Sequence, residues 1–172
     1  ARDRLAVSPA VVDFREATVY ASGEPDGCCD LVLQNGVFHH LEDEDRAYRE
    51  MHRVLKPGGW IWAYSEGSHS IARDVFAVSV RILEDVPSKL VTDHLAHIGL
   101  NTNKRYHLSD GLNAVYRATT WEELTGRLSA IGFGNFRRLK GGFDTDLDID
   151  PDHPFSAEKF GEGDLRLLAQ KL

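Results

Sequence analysis

The stretch from Cys28 to Glu66 leaves little freedom in how this chain folds: CCDLVLQNGVFHHL, a charged segment ending HRVLKPGGW, then IWAYSE. The first run is apolar and β-prone with no helical period, which suits a strand buried on both faces of a parallel sheet. Behind it Asp43 stands as an N-cap, and Ala47, Met51, Val54 and Leu55 recur at the spacing of one inward helical face. Asp45/Arg49 and Arg46/Glu50 are spaced as i,i+4 ion pairs on the outer side. Pro57, Gly58 and Gly59 are expected to stop the helix, and Trp60 to Tyr64 to begin the next strand. Strand, helix and strand in this order make a βαβ unit.

The block resembles the class I S-adenosylmethionine-dependent methyltransferases. Their fourth strand pairs an acidic residue with a short apolar run, a cofactor-facing turn and a histidine pair, followed by a helix and an R-hydrophobic-L-K-P-G-G turn into strand five. The matching residues here are Asp30 to Val32, Gln34 to Gly36, His39 with His40, and Arg53 to Gly59. Pro25, Asp26 and Gly27 match the lead-in to that strand. The resemblance implies an α/β, Rossmann-like doubly wound sheet with strand order 3-2-1-4-5-7-6, and S-adenosyl-L-methionine as cofactor. It also implies methyl transfer to a small-molecule acceptor.

What precedes the block is short. ARDRLAVSPA reads as the tail of a helix running into a turn, and Val11 to Phe14 as a strand in the place of the family's third. Asp13 lies too close to Asp30 to be the ribose-binding acid of strand two. No glycine-rich turn of the dinucleotide-binding kind lies ahead of Val11. The sheet is therefore expected to lack its first two strands, or two βα units of about 30 residues each. The 172 residues read as a single incomplete domain, inactive alone, whose fourth strand exposes an apolar edge open to self-association. A non-catalytic fragment or subunit that cannot bind the cofactor alone is the alternative.

The second half fits the rest of such a fold. Ser70 to Leu83 carries Ile71, Val75, Val78 and Ile82 at helical spacing, and a further helix spans Ser88 to Ile98 before Gly99. With the loop NTNKRYHLSDGLNAVY these make a helical insertion after strand five, approximately residues 68–118, which the resemblance implies is an acceptor lid. Trp121 to Ile131 has Thr120 and Glu123 as a capping box and Gly132 as its stop. Phe133 to Leu139 and Leu165 to Leu172 read as the antiparallel pair that closes the sheet. Between them lie Asp144, Asp146, Asp148, Asp150 and Asp152, but the EF-hand registers put Ile149, Pro151 or His153 where the loop needs glycine. A solvated acidic hairpin loop is expected, and no metal.

Net charge bounds the partners. At −7 the chain is a poor match for nucleic acid or an anionic membrane surface, and the short basic stretches around Lys104 and Arg137 read as solvated faces. The adjacent Cys28 and Cys29 offer neither a disulfide framework nor a CxxC metal site, and read as small buried residues in a reducing, cytoplasmic setting. No apolar run approaches the ~20 residues that span a bilayer.

The resemblance also implies where the site lies. Gln34, Asn35 and Gly36 are placed against the methionine part of the cofactor. An ungapped alignment puts Thr18 at the adenine turn where the family has Asp, and a shifted one would use Glu16. Displacement at a methyl sulfonium needs alignment more than acid–base chemistry. His39 is the candidate general base, since imidazole titrates near neutrality. His40, His69, Tyr106, His107 and Asp110 are candidate acceptor contacts, with Tyr116 beside them. His39 and His40, as neighbours beyond a strand, are expected to point apart.

Overall fold

The computed structural model describes residues 11–68, 71–113, 117–139 and 164–172. Four strands form one sheet in the order β1-β2-β4-β3, with β1 at Cys29–Asn35, β2 at Leu55–Glu66, β3 at Phe133–Leu139 and β4 at Asp164–Lys171. β1 and β2 pair parallel, and β4 runs antiparallel to both β2 and β3. This is the order expected for strands four, five, seven and six. Val11 to Phe14, expected as a third strand, forms none, and Val11 is fully exposed. A single bridge between Thr18 and Ala21 is the nearest extended pairing.

Helix α1 (Glu44–Val54) is the crossover between β1 and β2. Asp43 caps it, its carboxylate accepting from the Arg46 backbone N–H at 2.9 Å. The helix ends at Leu55, which is already extended and opens β2, so Pro57 to Gly59 lie inside the strand rather than at the helix stop. Cys29 faces Leu55 but Leu31 faces Trp60, so Lys56 to Gly59 loop out of the ladder. Gly59 is needed there: a Cβ would meet the Lys56 carbonyl oxygen at 2.9 Å.

Glu50 corrects the expected surface charge pairs. It is buried rather than outward, and it accepts from the Ser22 N–H and hydroxyl, both at 2.7 Å, and from the Arg53 guanidinium. Arg53 also holds Asp26. Arg46 lies instead over the Tyr20 ring, and Asp45 pairs with Arg127 rather than Arg49. The segment leading into β1 is thereby clasped to α1.

Helix α5 (Trp121–Ile131) has the expected capping box and a left-handed Gly132 at its end. It packs beside α1, where Arg127 reaches Glu44 at 2.8 Å. Tyr48 and Ala47 of α1, Leu124 and Leu128 of α5, and Ile61, Ala63, Leu165, Leu167 and Ala169 of the sheet make the buried core. The opposite sheet face differs from the expected double burial. On it Leu31 and Leu33 are 51% and 68% exposed, beside the half-buried Trp60, Trp62 and Leu168. Arg137 lies over Trp60 and Arg138 over Trp121, so these basic residues cover indole rings instead of being simply solvated.

After β2 come α2 (Ile71–Leu83), α3 (Ser88–His97) and α4 (Thr102–Asn113). The last was expected to be a loop. Gly111 explains how α4 closes on α2, since a Cβ there would sit 2.3 Å from the Phe76 ring. Val75, Val78 and Ile82 of α2 are exposed, so that apolar stripe is not turned into the core. The aspartates from Asp144 to Asp152 lie outside the described residues. Among the described residues, no helix is long and apolar enough to cross a membrane.

The clasp makes a stability prediction with a definite sign. Its partners pull the Glu50 carboxyl down from an ordinary 4.5 to about 2, the Arg53 hydrogen bonds contributing most. A group whose folded pKa is depressed stabilises fully above its unfolded value and loses that contribution as pH falls through the folded one. Glu50→Gln should cost about 1–3 kcal/mol at neutral pH. The gap to the parent should narrow as pH falls from 4.5 toward 2. Urea denaturation across that range reads both.

Candidate functional site

In open α/β sheets ligands gather outside the carboxyl ends of parallel strands, so the ends of β1 and β2 are where chemistry is expected. The register puts Asn35 opposite Tyr64 there. Gly36 follows in a left-handed conformation, φ +67°, and a Cβ on it would lie 2.8 Å from two carbons of the Tyr64 ring. The turn is thus shaped by a close approach of ring to backbone as well as by its dihedral. Asn35 is exposed at its rim, while Gln34 is turned inward and buried. The Gln34 side-chain Oε1 accepts from the Tyr64 N–H at 3.0 Å, and its Nε2 is buried with no partner among the described residues.

Beyond the turn, Phe38–His40 form a short 3₁₀ helix. Phe38 is buried edge-on against Tyr48, which fixes the turn to α1. His39 is buried and His40 half-buried, and their rings lie 4.1 Å apart. The expectation that they point apart is therefore corrected: the two rings tilt against each other where the 3₁₀ turn ends. His39 also meets Tyr64 edge-on, at 6.3 Å between ring centres.

Three residues of this cluster, Tyr64, Glu66 and Arg166, were not picked out from the sequence. The Tyr64 hydroxyl donates to the Glu66 carboxylate at 3.1 Å, and Glu66 is buried. Arg166 of β4 lies over the Tyr64 ring. The signal was available: Tyr64 and Glu66 end the second parallel strand, as Asn35 ends the first. Arg117 is the other addition, its N–H donating to the His39 carbonyl oxygen and its guanidinium to the Glu42 carbonyl oxygen. Just after it, Thr119 exchanges backbone hydrogen bonds with Glu66 and Ser68. The chain leaving α4 is thereby stitched to the end of β2.

The remaining candidates spread out. Thr18 is exposed in its turn, where its carbonyl accepts from the Ala21 N–H at 3.1 Å. That turn is held to α1 through Tyr20 and Ser22. Tyr106 and Asp110 are exposed on α4, which packs on α2 and α3. The His107 side chain, His69 and Tyr116 lie outside the described residues. A cavity of about 400 Å³ opens beside the starts of α1 and α5, lined by Glu44, Arg117, Thr119, Glu123 and Arg127. Among the described residues, no three His, Cys, Asp or Glu side chains are grouped to hold a metal ion.

A parallel βαβ unit continued by an antiparallel pair is the arrangement of a Rossmann-like methyltransferase fold, and solved structures of such methyltransferases superpose on the chain. Comparison with known proteins points the same way: a family model described as a methyltransferase domain matches residues 1–63. Among curated relatives, the ubiquinone/menaquinone biosynthesis C-methyltransferase UbiE of Pseudoalteromonas translucida is 26% identical over 132 residues, covering 72% of this chain and 53% of the relative. The chain spans about half the length of the curated relatives it matches. Among solved structures, an S-adenosylmethionine-dependent methyltransferase from Mesorhizobium loti superposes with a TM-score of 0.56 at 18% identity, covering 98% of this chain and 74% of that one. The cyclase SpnF gives 0.54 at 19% identity, covering 99% and 58%.

Gly36→Ala tests the turn. Forced left-handed backbone plus the clash with Tyr64 should destabilise the chain by about 1–3 kcal/mol. Gly23→Ala is the control, since Gly23 is equally left-handed, φ +76°, yet a Cβ there meets nothing within 4 Å. Chemical denaturation should find the Gly36 variant clearly the weaker; equal midpoints would mean that the ring contact carries no weight.

Proposed function

We propose that this chain takes part in S-adenosylmethionine-dependent methyl transfer to a small-molecule acceptor, as part of a longer chain. The observation that carries the reading is the convergence of Asn35, Gly36, His39, Tyr64 and Glu66 at the carboxyl ends of two parallel strands, in a family whose cofactor lies there. The residues present fit such a group: Asn35 is an exposed amide beside a glycine turn, and the Gln34 side-chain amide nitrogen next to it is buried without a partner among the described residues. When bound, the cofactor supplies an electrophilic methyl on a sulfonium.

The chain's own residues then divide the work. Asn35 and the backbone from Gln34 to Gly36 line the methionine end, and Thr18 offers a hydroxyl on the adenine side. His40, the less buried of the pair, meets the acceptor, and His39 takes a proton from it where the acceptor is a hydroxyl or amine. Tyr64 and Glu66 set the position of that pair. Tyr106, His107 and Asp110 on α4, with His69, form the acceptor side, and residues 68–118 act as its lid. The curated relatives methylate carbon in quinone biosynthesis, which favours a small aromatic acceptor here.

A second reading has its own observation. Leu31 and Leu33 stand exposed on a face of β1, which among the described residues is the end strand of the sheet, and the unpaired backbone of such a strand is a template for another chain. On this reading the 172 residues self-associate, or lend their sheet to a partner, without holding the cofactor alone.

Titration calorimetry with S-adenosylmethionine separates the readings. A longer chain carrying a glycine-rich strand-turn-helix ahead of Ala1 should bind, and the 172-residue chain only weakly. Silence from the longer chain defeats the enzyme reading; tight binding by the shorter one defeats the division of the site. Sedimentation velocity from low to high micromolar concentration should show the 172-residue chain associating, and Leu33→Lys should return it to monomer.

A further inference from the structure

Cys28 and Cys29 are not the pair of small core residues that the sequence suggested. Cys28 is exposed and Cys29 partly so. In a regular strand their side chains would leave opposite faces. Here Cys28 precedes β1, directly after a turn in which Gly27 is left-handed at φ +61°, and the ladder is irregular between Cys29 and Leu31. The two sulfurs consequently face each other at 3.4 Å.

Three kinds of chemistry suit a thiol pair, and the geometry separates them. Closed metal sites recruit three or four protein ligands. Among the described residues no third His, Cys, Asp or Glu is grouped to complete one. A disulfide wants Cα atoms about 4.4–6.8 Å apart, whereas consecutive Cα atoms are held at about 3.8 Å, so a ring between neighbours is strained. A pyramidal three-coordinate centre bonded to both sulfurs asks for neither closure of the gap nor a further protein ligand. Lys56 stands beside the pair, tied to Asp30 at 2.7 Å; burial and the Cys28 thiol push the Cys29 thiol up, so the exposed Cys28 is the sulfur placed to attack first.

We propose that Cys28 and Cys29 form a chelating vicinal dithiol, a modification site for trivalent thiophilic ligands of the monosubstituted arsenoxide class. The step balances without an oxidant. Two As–S bonds form as the As–O double bond is lost, and the two thiol protons leave with that oxygen as one water. The ring that closes holds arsenic, both sulfurs and the backbone between them.

Phenylarsine oxide is the probe, used on the whole 172-residue chain, with intact mass as the readout. One adduct per chain is expected, with loss of one water, resistant to excess monothiol and removed by 2,3-dimercaptopropanol. Cys28→Ser and Cys29→Ser should each lose the monothiol-resistant adduct while keeping one thiol open to N-ethylmaleimide. The adduct should leave the circular dichroism spectrum unchanged. No adduct on the parent overturns the proposal, whether or not its thiols alkylate. So does an adduct that monothiol strips from the parent as readily as from either variant.

Discussion

The parallel pairing of β1 with β2 is the constraint on which the rest of the molecule depends. Two parallel strands cannot be joined by a tight turn, so the chain must climb back over one face, and α1 is that return. Once α1 lies there, Ala47 and Tyr48 cover Ile61 and Ala63, and Arg127 of α5 finds Glu44 at the helix start. The same pairing brings both carboxyl ends to one edge of the sheet. Asn35 and Tyr64 become neighbours only because of it. The Glu50 clasp completes the arrangement, since a buried carboxylate without Ser22 and Arg53 is costly.

Much of this was legible because local signals and tertiary need agree. Asp43, Thr120 with Glu123, and Gly132 cap as their types suggest, because caps act within a few residues. The apolar face of α1 and the antiparallel closing pair were equally readable. What could not be read depends on residues far apart in the chain. Glu50 has the spacing of a surface ion pair with Arg46, and only the approach of Ser22 shows why it turns inward. The α4 segment is polar and carries Gly111, a weak helix by composition, and it forms where that glycine can meet Phe76. Tyr64 and Glu66 entered the site through register, which no single strand reveals.

The uncovered sheet face follows from the same topology. β1 is apolar at every position from Leu31 to Leu33, as a strand covered on both sides would be, yet helices meet it from one side among the described residues. At roughly 25 cal/mol per Å² of apolar surface, exposed leucines of this kind forgo stabilisation that a covering element would supply. Stacking partly offsets this: the Arg137 guanidinium lies over Trp60 and that of Arg166 over Tyr64. The sequence of β1 is therefore matched to more neighbours than the described residues give it, which is the pattern of a surface meant to be covered.

The two ends of β1 also differ in kind. At the carboxyl end, backbone turn, buried histidine and the Tyr64–Glu66 pair are fixed from several directions, by α1, β2, β4 and the Arg117 segment. At the amino end, Cys28 sits outside the ladder, and the side-chain link from Asp30 to Lys56 is exposed. Six residue steps of strand put about 20 Å between them. A group placed on the sulfurs adds no charge and displaces no ladder hydrogen bond near Asn35, so the ends can be loaded independently. Coupling would require a two-state element spanning the strand, and β1 is held in a single register with β2 from Leu31 to Asn35. Rigidity in the middle of the strand is what allows one end to be shaped for a ligand while the other stays chemically open.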